Sequence, residues 1–134
     1  MAVRPAPDRS GQEVRYTKDH EWVRRDDDMV TIGITEYAQE QLGDLVFVEL
    51  PEVGREFEAT DAVAVVESVK AAADVFAPVA GKIIEVNQAV VDDPSLVNSE
   101  PEADGWLFKM EMTDPDTYDD LLDEAGYREF LESL

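Results

Sequence analysis

Apolar residues recur along this chain in short runs separated by glycine, proline and acidic turns, and almost nowhere at the spacing of a long helix. Residues 62–66 are five apolar residues, three of them valine, and residues 75–79 are apolar throughout with Pro78 near the end. Each run has the length and composition of a strand. The stretch between them, Glu67-Ser68-Val69-Lys70-Ala71-Ala72-Ala73-Asp74, is too short for a crossover and predicts a hairpin with Lys70 near its tip. Residues 16–25 lead into a strand that stops at Asp26-Asp27-Asp28, and residues 29–34 return beside it. Residues 46–50, 82–87 and 106–112 supply further strands, with Trp106 expected to fill the core.

Helices are few. Thr35 is a good N-cap for a helix whose face is Tyr37, Ala38, Gln41 and Leu42 and whose end is Gly43. Thr113-Asp114-Pro115 caps a second, with proline at the first helical position. Asp123 opens a last one, in which Tyr127, Phe130, Leu131 and Leu134 fall at helical spacing and should pack on the sheets. Residues 88–105, with Pro94 and Pro101, read as a long irregular surface loop. A strand followed by Pro-x-x-Gly and a basic residue occurs at 46–55 and again at 75–82, a weak internal repeat that suits a quasi-symmetric pair of sheets. The reading is one mainly β domain over residues 16–134, preceded by a disordered tail over 1–15 with three arginines, two prolines and few apolar residues.

Charge narrows the function classes. With 32 Asp and Glu against 11 Lys and Arg the formal charge of the 134-residue chain is −21, which argues against nucleic acid and anionic membranes and for partners with basic or neutral faces. Acidity of this degree also suits a salt-rich environment. Without cysteine there is no disulfide, thiolate nucleophile or cysteine-based zinc site, and the one histidine, His20, makes a metal site an unpromising reading. No glycine-rich phosphate loop or Ser-His-acid arrangement stands out, so the chain reads as a carrier and not an enzyme.

A lysine on a turn is most often just a solvated charge. Here the string VVESVKAAADVFAPVAGKIIEVN, together with TKDHEWVR and GITEYAQEQLGDLVFVELPEVG, resembles the H-protein family of the glycine cleavage system. Biotinyl domains usually carry methionine on both sides of their lysine and 2-oxoacid dehydrogenase lipoyl domains Asp-Lys-Ala; Glu67-Ser68-Val69-Lys70-Ala71 is neither. The resemblance implies a barrel-sandwich hybrid of two small antiparallel sheets with short helices, and lipoate joined through an amide to Lys70. It implies recognition of Glu67 and Gly81 by the lipoylating enzyme, and an acidic arm cleft at Glu21 and Asp74, with Asp19 where relatives often have serine. Glu102 stands where the family usually has an aromatic residue after a proline.

The partners so implied are a pyridoxal-phosphate glycine decarboxylase, an aminomethyltransferase and a dihydrolipoamide dehydrogenase, besides the lipoylating enzyme. The carrier is expected to be a monomer in a bacterial or archaeal cytoplasm, with the mitochondrial matrix as the other setting. Two other readings stand beside it: a biotinyl carrier of a carboxylase, and an unmodified acidic interaction domain.

Overall fold

A computed structural model describes residues 13–134. Nine strands among them form two antiparallel sheets that do not close into a barrel. The larger has the order β1 (Glu13–Tyr16), β2 (Glu21–Asp26), β3 (Met29–Ile34), β9 (Phe108–Asp114), β8 (Ala80–Val86), β5 (Glu56–Phe57). The smaller has β4 (Leu45–Glu49), β6 (Ala62–Ser68) and β7 (Ala72–Phe76), with β6 central. One buried cluster takes Val23, Ile32, Ile83 and Met110 from the first sheet and Val48, Ala64, Val66 and Val75 from the second. Burial at roughly 2 kcal/mol for each such side chain holds the two sheets together.

The expected hairpins form. β2 and β3 join across Asp27-Asp28, where Asp27 takes the left-handed conformation (φ 56°) that aspartate tolerates. Thr35 caps α1 (Glu36–Leu42) by accepting from Ala38 N at 3.3 Å, and Gly43, at φ 84°, ends it. The repeat has a topological meaning: β4 and β7 flank β6, each then crosses to the large sheet, and there β5 and β8 pair through Glu56↔Lys82 and Phe57↔Gly81.

Several expectations need correction. Residues 13–15, assigned to the tail, are strand β1, paired with β2 from Glu13↔Arg25 to Tyr16↔Trp22; four residues are too few to show a period. The rest of the expected tail lies outside the described residues. Residues 88–105 are not a continuous loop but contain α2 (Gln88–Asp92) and α3 (Ser95–Ser99), each about one turn. Fully buried Val90 and Val97 hold them where propensity alone would not. Trp106 is only half-buried, under Lys109 Nζ at 5.0 Å from its ring centroid. The core tryptophan is Trp22, whose Nε1 donates to the Pro101 carbonyl at 2.8 Å. α4 (Asp116–Asp119) starts after Pro115, with Asp114 Oδ1 accepting from Asp116 N. In α5 (Glu124–Glu132) Tyr127 is buried, Phe130 and Leu131 are half-buried, and Leu134, beyond the helix, is exposed.

Candidate functional site: a lysine hairpin beside an acidic cleft

β6 and β7 carry Lys70 out of the small sheet on a three-residue tip, Val69-Lys70-Ala71. No Asn-Gly pair shapes this turn; Ser68 does. Its Oγ accepts from Lys70 N at 3.2 Å and Ala71 N at 3.0 Å and donates to the Ala71 carbonyl at 3.2 Å, while Ser68 N donates to the same carbonyl at 2.7 Å. Val69 N reaches the Asp44 carbonyl at 3.2 Å, which ties the tip to the start of β4. The backbone under Lys70 is therefore fixed while its side chain is exposed and, among the described residues, forms no ion pair. The lysine stem lies over Gly43, where an added Cβ would stand 3.4 Å from Lys70 Cε. Ser68 was not singled out from sequence, although serine at the mouth of a turn is a recognisable signal.

Beside the hairpin is a cleft of about 180 Å³ between β2, α1 and β7. The structure brings Asp19, Glu21 and Asp74 to its walls, with Tyr37 and Leu42 of α1 opposite. Asp19 and Asp74 are exposed; Glu21 is 2% exposed. Glu21 Oε2 accepts from Phe76 N at 2.7 Å, filling a hydrogen-bonding position on the outer edge of β7, and Oε1 accepts from Thr17 Oγ1 at 3.0 Å. Burial disfavours its charged form and pushes its carboxyl up to about 7, with the Phe76 and Thr17 bonds pulling the other way.

His20, set aside from sequence as an unpromising metal ligand, lines the same cleft. It takes the left-handed conformation (φ 69°) that turns the chain so that Glu21 points inward. His20 Nδ1 lies 2.8 Å from Tyr127 Oη, which lies 2.8 Å from Thr35 Oγ1. Burial holds the imidazole's pKa below the usual histidine value. Only the fold, across 107 residues, makes this link.

The two positions expected to guide a lipoylating enzyme separate. Glu67 is half-buried on β6, three residues before Lys70 and opposite Phe47 and Ala72. Gly81 is buried in the other sheet, where a Cβ would stand 2.5 Å from the Glu111 carbonyl oxygen. Its lack of a side chain is a packing requirement of the β8–β9 pair. Glu102, in the position expected to be aromatic, caps α1 instead, its Oε2 accepting from Glu36 N at 2.9 Å.

A lysine raised on a rigid hairpin beside a cleft is the arrangement of a swinging-arm carrier domain. Its relatives specify which. The model of the glycine cleavage H-protein family matches residues 14–134. The glycine cleavage system H protein of Thermotoga maritima is 59% identical over 116 residues, covering 87% of this chain and 94% of that one. That of Parvibaculum lavamentivorans is 57% identical over 122 residues, covering 91% and 98%. The crystal structure of a glycine cleavage system H protein from Mycobacterium marinum superposes with a TM-score of 0.81 at 40% identity, over 91% of this chain and 98% of that one. The chain belongs to the glycine cleavage H-protein family and serves as a lipoyl carrier of the glycine cleavage system, which sets aside the biotinyl and unmodified readings.

Proposed function

We propose that Lys70 is the residue to which lipoate is attached and that the chain, itself without catalytic activity, presents that arm in turn to three enzymes. The observation that carries this reading is the exposed Lys70, without an ion pair among the described residues, on the Ser68-stapled tip, followed by the small residues Ala71 and Ala72. Joining an amine to a carboxylic acid needs an activated acyl donor brought to that amine, so attachment needs an enzyme. The neutral Nζ attacks the carbonyl carbon of an activated lipoyl donor; the C–N bond forms, the bond to the leaving group breaks, and the amine proton leaves to solvent. A positive charge disappears from the tip in the process. Glu67 guides that enzyme directly, and Gly81 acts through the sheet geometry it permits.

Once bound, lipoate would supply a dithiolane that accepts the aminomethyl group of glycine. This chain's own residues then do two things. The hairpin fixes where the arm begins, which limits its search to enzymes docked nearby and keeps its effective concentration high. The cleft offers its free end a place to rest, where Asp19, Glu21 and Asp74 favour an ammonium. Glu21 keeps lone pairs beyond those used by Thr17 and Phe76, and an approaching cation would shift it toward its charged form. The partners are the pyridoxal-phosphate decarboxylase, the aminomethyltransferase and the dihydrolipoamide dehydrogenase, met in a bacterial cytoplasm.

Reconstitution tests this. Lipoylated chain added to a purified glycine decarboxylase should support release of carbon dioxide from glycine, and the unlipoylated chain should not. Equal release with both forms would refute the carrier assignment for Lys70.

A further inference from the structure

We infer that the bulged start of β4, with Val46 and Phe47, forms together with Val69 the docking face for the enzyme that acylates Lys70. The inference rests on the reading of Lys70 as the acylated residue and adds the surface by which that enzyme holds the carrier.

The pairing register creates this face. β4 opposite β6 runs Leu45↔Ser68, then Phe47↔Glu67, so Val46 is an extra residue on β4 with no partner. Strict alternation would turn Phe47 inward beside Leu45. The bulge shifts the phase instead: Leu45 and Val48 are buried, and Val46 and Phe47, 56% and 46% exposed, both face solvent. Val69, 74% exposed, is tied to the same place by its hydrogen bond to the Asp44 carbonyl. Three large apolar side chains thus stand uncovered around the base and tip of the lysine hairpin, whereas the other exposed hydrophobics Met29, Val53, Val91 and Leu134 lie on separate segments. Exposed apolar groups gathered in this way mark interaction surfaces.

Charge and reach select the occupant. The outward row through Phe47 is Phe47–Glu67–Ala72, and the next row is Glu49–Val65–Asp74, so the ionisable groups on both rows are acidic; Asp44 adds another at the edge, and Arg55 stands at the far end of the face. The matching partner presents an apolar socket bordered by basic groups. Of the enzymes that meet this chain, those that work on the finished arm act at its far end, away from the hairpin. The acylating enzyme alone must bring its reacting centre to Nζ itself, within the length of a lysine stem, and cannot do so without covering Val69 and its neighbours.

The test is acylation of the purified apo chain by a lipoate–protein ligase supplied with lipoate and ATP, followed by intact mass. Val46→Ser combined with Phe47→Ser should lower kcat/KM about tenfold or more, chiefly through KM. Val53→Ser, equally exposed but beyond the other end of β4, should leave it within about twofold. Thermal unfolding of each variant checks the fold. Independently of any variant, adding the ligase to wild-type apo chain should broaden or shift the NMR signals of Val46, Phe47 and Val69. An acylation rate equal to wild type in a folded double variant overturns the inference, as does the absence of any perturbation at those three residues. A wild-type chain that the ligase does not modify at Lys70 overturns the carrier reading instead, which keeps the two failures apart.

Discussion

The hairpin tip and the cleft beside it are built on opposite plans. The tip is local: one serine hydroxyl bonds to groups two and three residues away, and the lysine it supports is left to solvent. The cleft is assembled at long range, with Glu21 reaching Phe76 across 55 residues and His20 reaching Tyr127 across 107. At the tip a charge is left exposed, as the proposed attachment requires. In the cleft a carboxyl is dried until it titrates near neutrality. Attachment calls for access and a fixed backbone, whereas sheltering a cation calls for a desolvated partner, and a carrier needs both within one arm's length.

Four substitutions test this division, three within the two regions and Gly81→Asn outside them, taken from the largest effect. Lys70→Arg keeps the charge but removes the acylatable amine, so lipoylation and glycine-dependent carbon dioxide release should fall to background with an unchanged unfolding temperature. Gly81→Asn strikes neither region directly. It forces a side chain against the Glu111 carbonyl and should cost about 2–4 kcal/mol, read as a lowered unfolding temperature with reduced lipoylation following from it.

Glu21→Gln keeps one carbonyl oxygen to accept from Phe76 N, gives up an acceptor toward Thr17, and cannot ionise. In wild type the folded-state pKa of about 7 lies above the reference 4.5, so the folded state holds the proton more tightly. The corresponding stability is fully present below about pH 4.5 and is lost as pH rises through 7, by up to roughly 3 kcal/mol. Denaturant titrations across that range should show wild type losing stability relative to Glu21→Gln; parallel curves would mean that Glu21 is not desolvated as described. Ser68→Ala, the smallest change, should cost about 1 kcal/mol and slow lipoylation by loosening the tip. Faster hydrogen exchange at Ala71 and Lys70 with an unaltered cleft would show the two regions to be independent.

How much could be read beforehand follows the same division. The strands of the hairpin were legible because residues 62–66 and 75–79 are uninterrupted apolar runs, and α1 because Thr35 and Gly43 mark its ends. β1 was not, since Glu13-Val14-Arg15-Tyr16 offers too short a pattern and gains its place only by pairing with β2. α2 and α3 were hidden by Pro94 and by their dependence on single buried valines. In the site, Lys70, Glu67, Asp19, Glu21 and Asp74 came from a motif resemblance. The β4 bulge, the Ser68 staple and the His20–Tyr127–Thr35 chain depend on register and on contacts between distant segments, which local composition does not encode.

The central claim, that Lys70 carries the arm, is met most directly by peptide mapping of chain produced in a host able to lipoylate it. The account predicts one lipoyl mass increment on the intact protein, confined to the peptide containing Lys70 and absent from Lys70→Arg. A lipoyl increment on any other lysine, or an unmodified Lys70 in such a host, would contradict it.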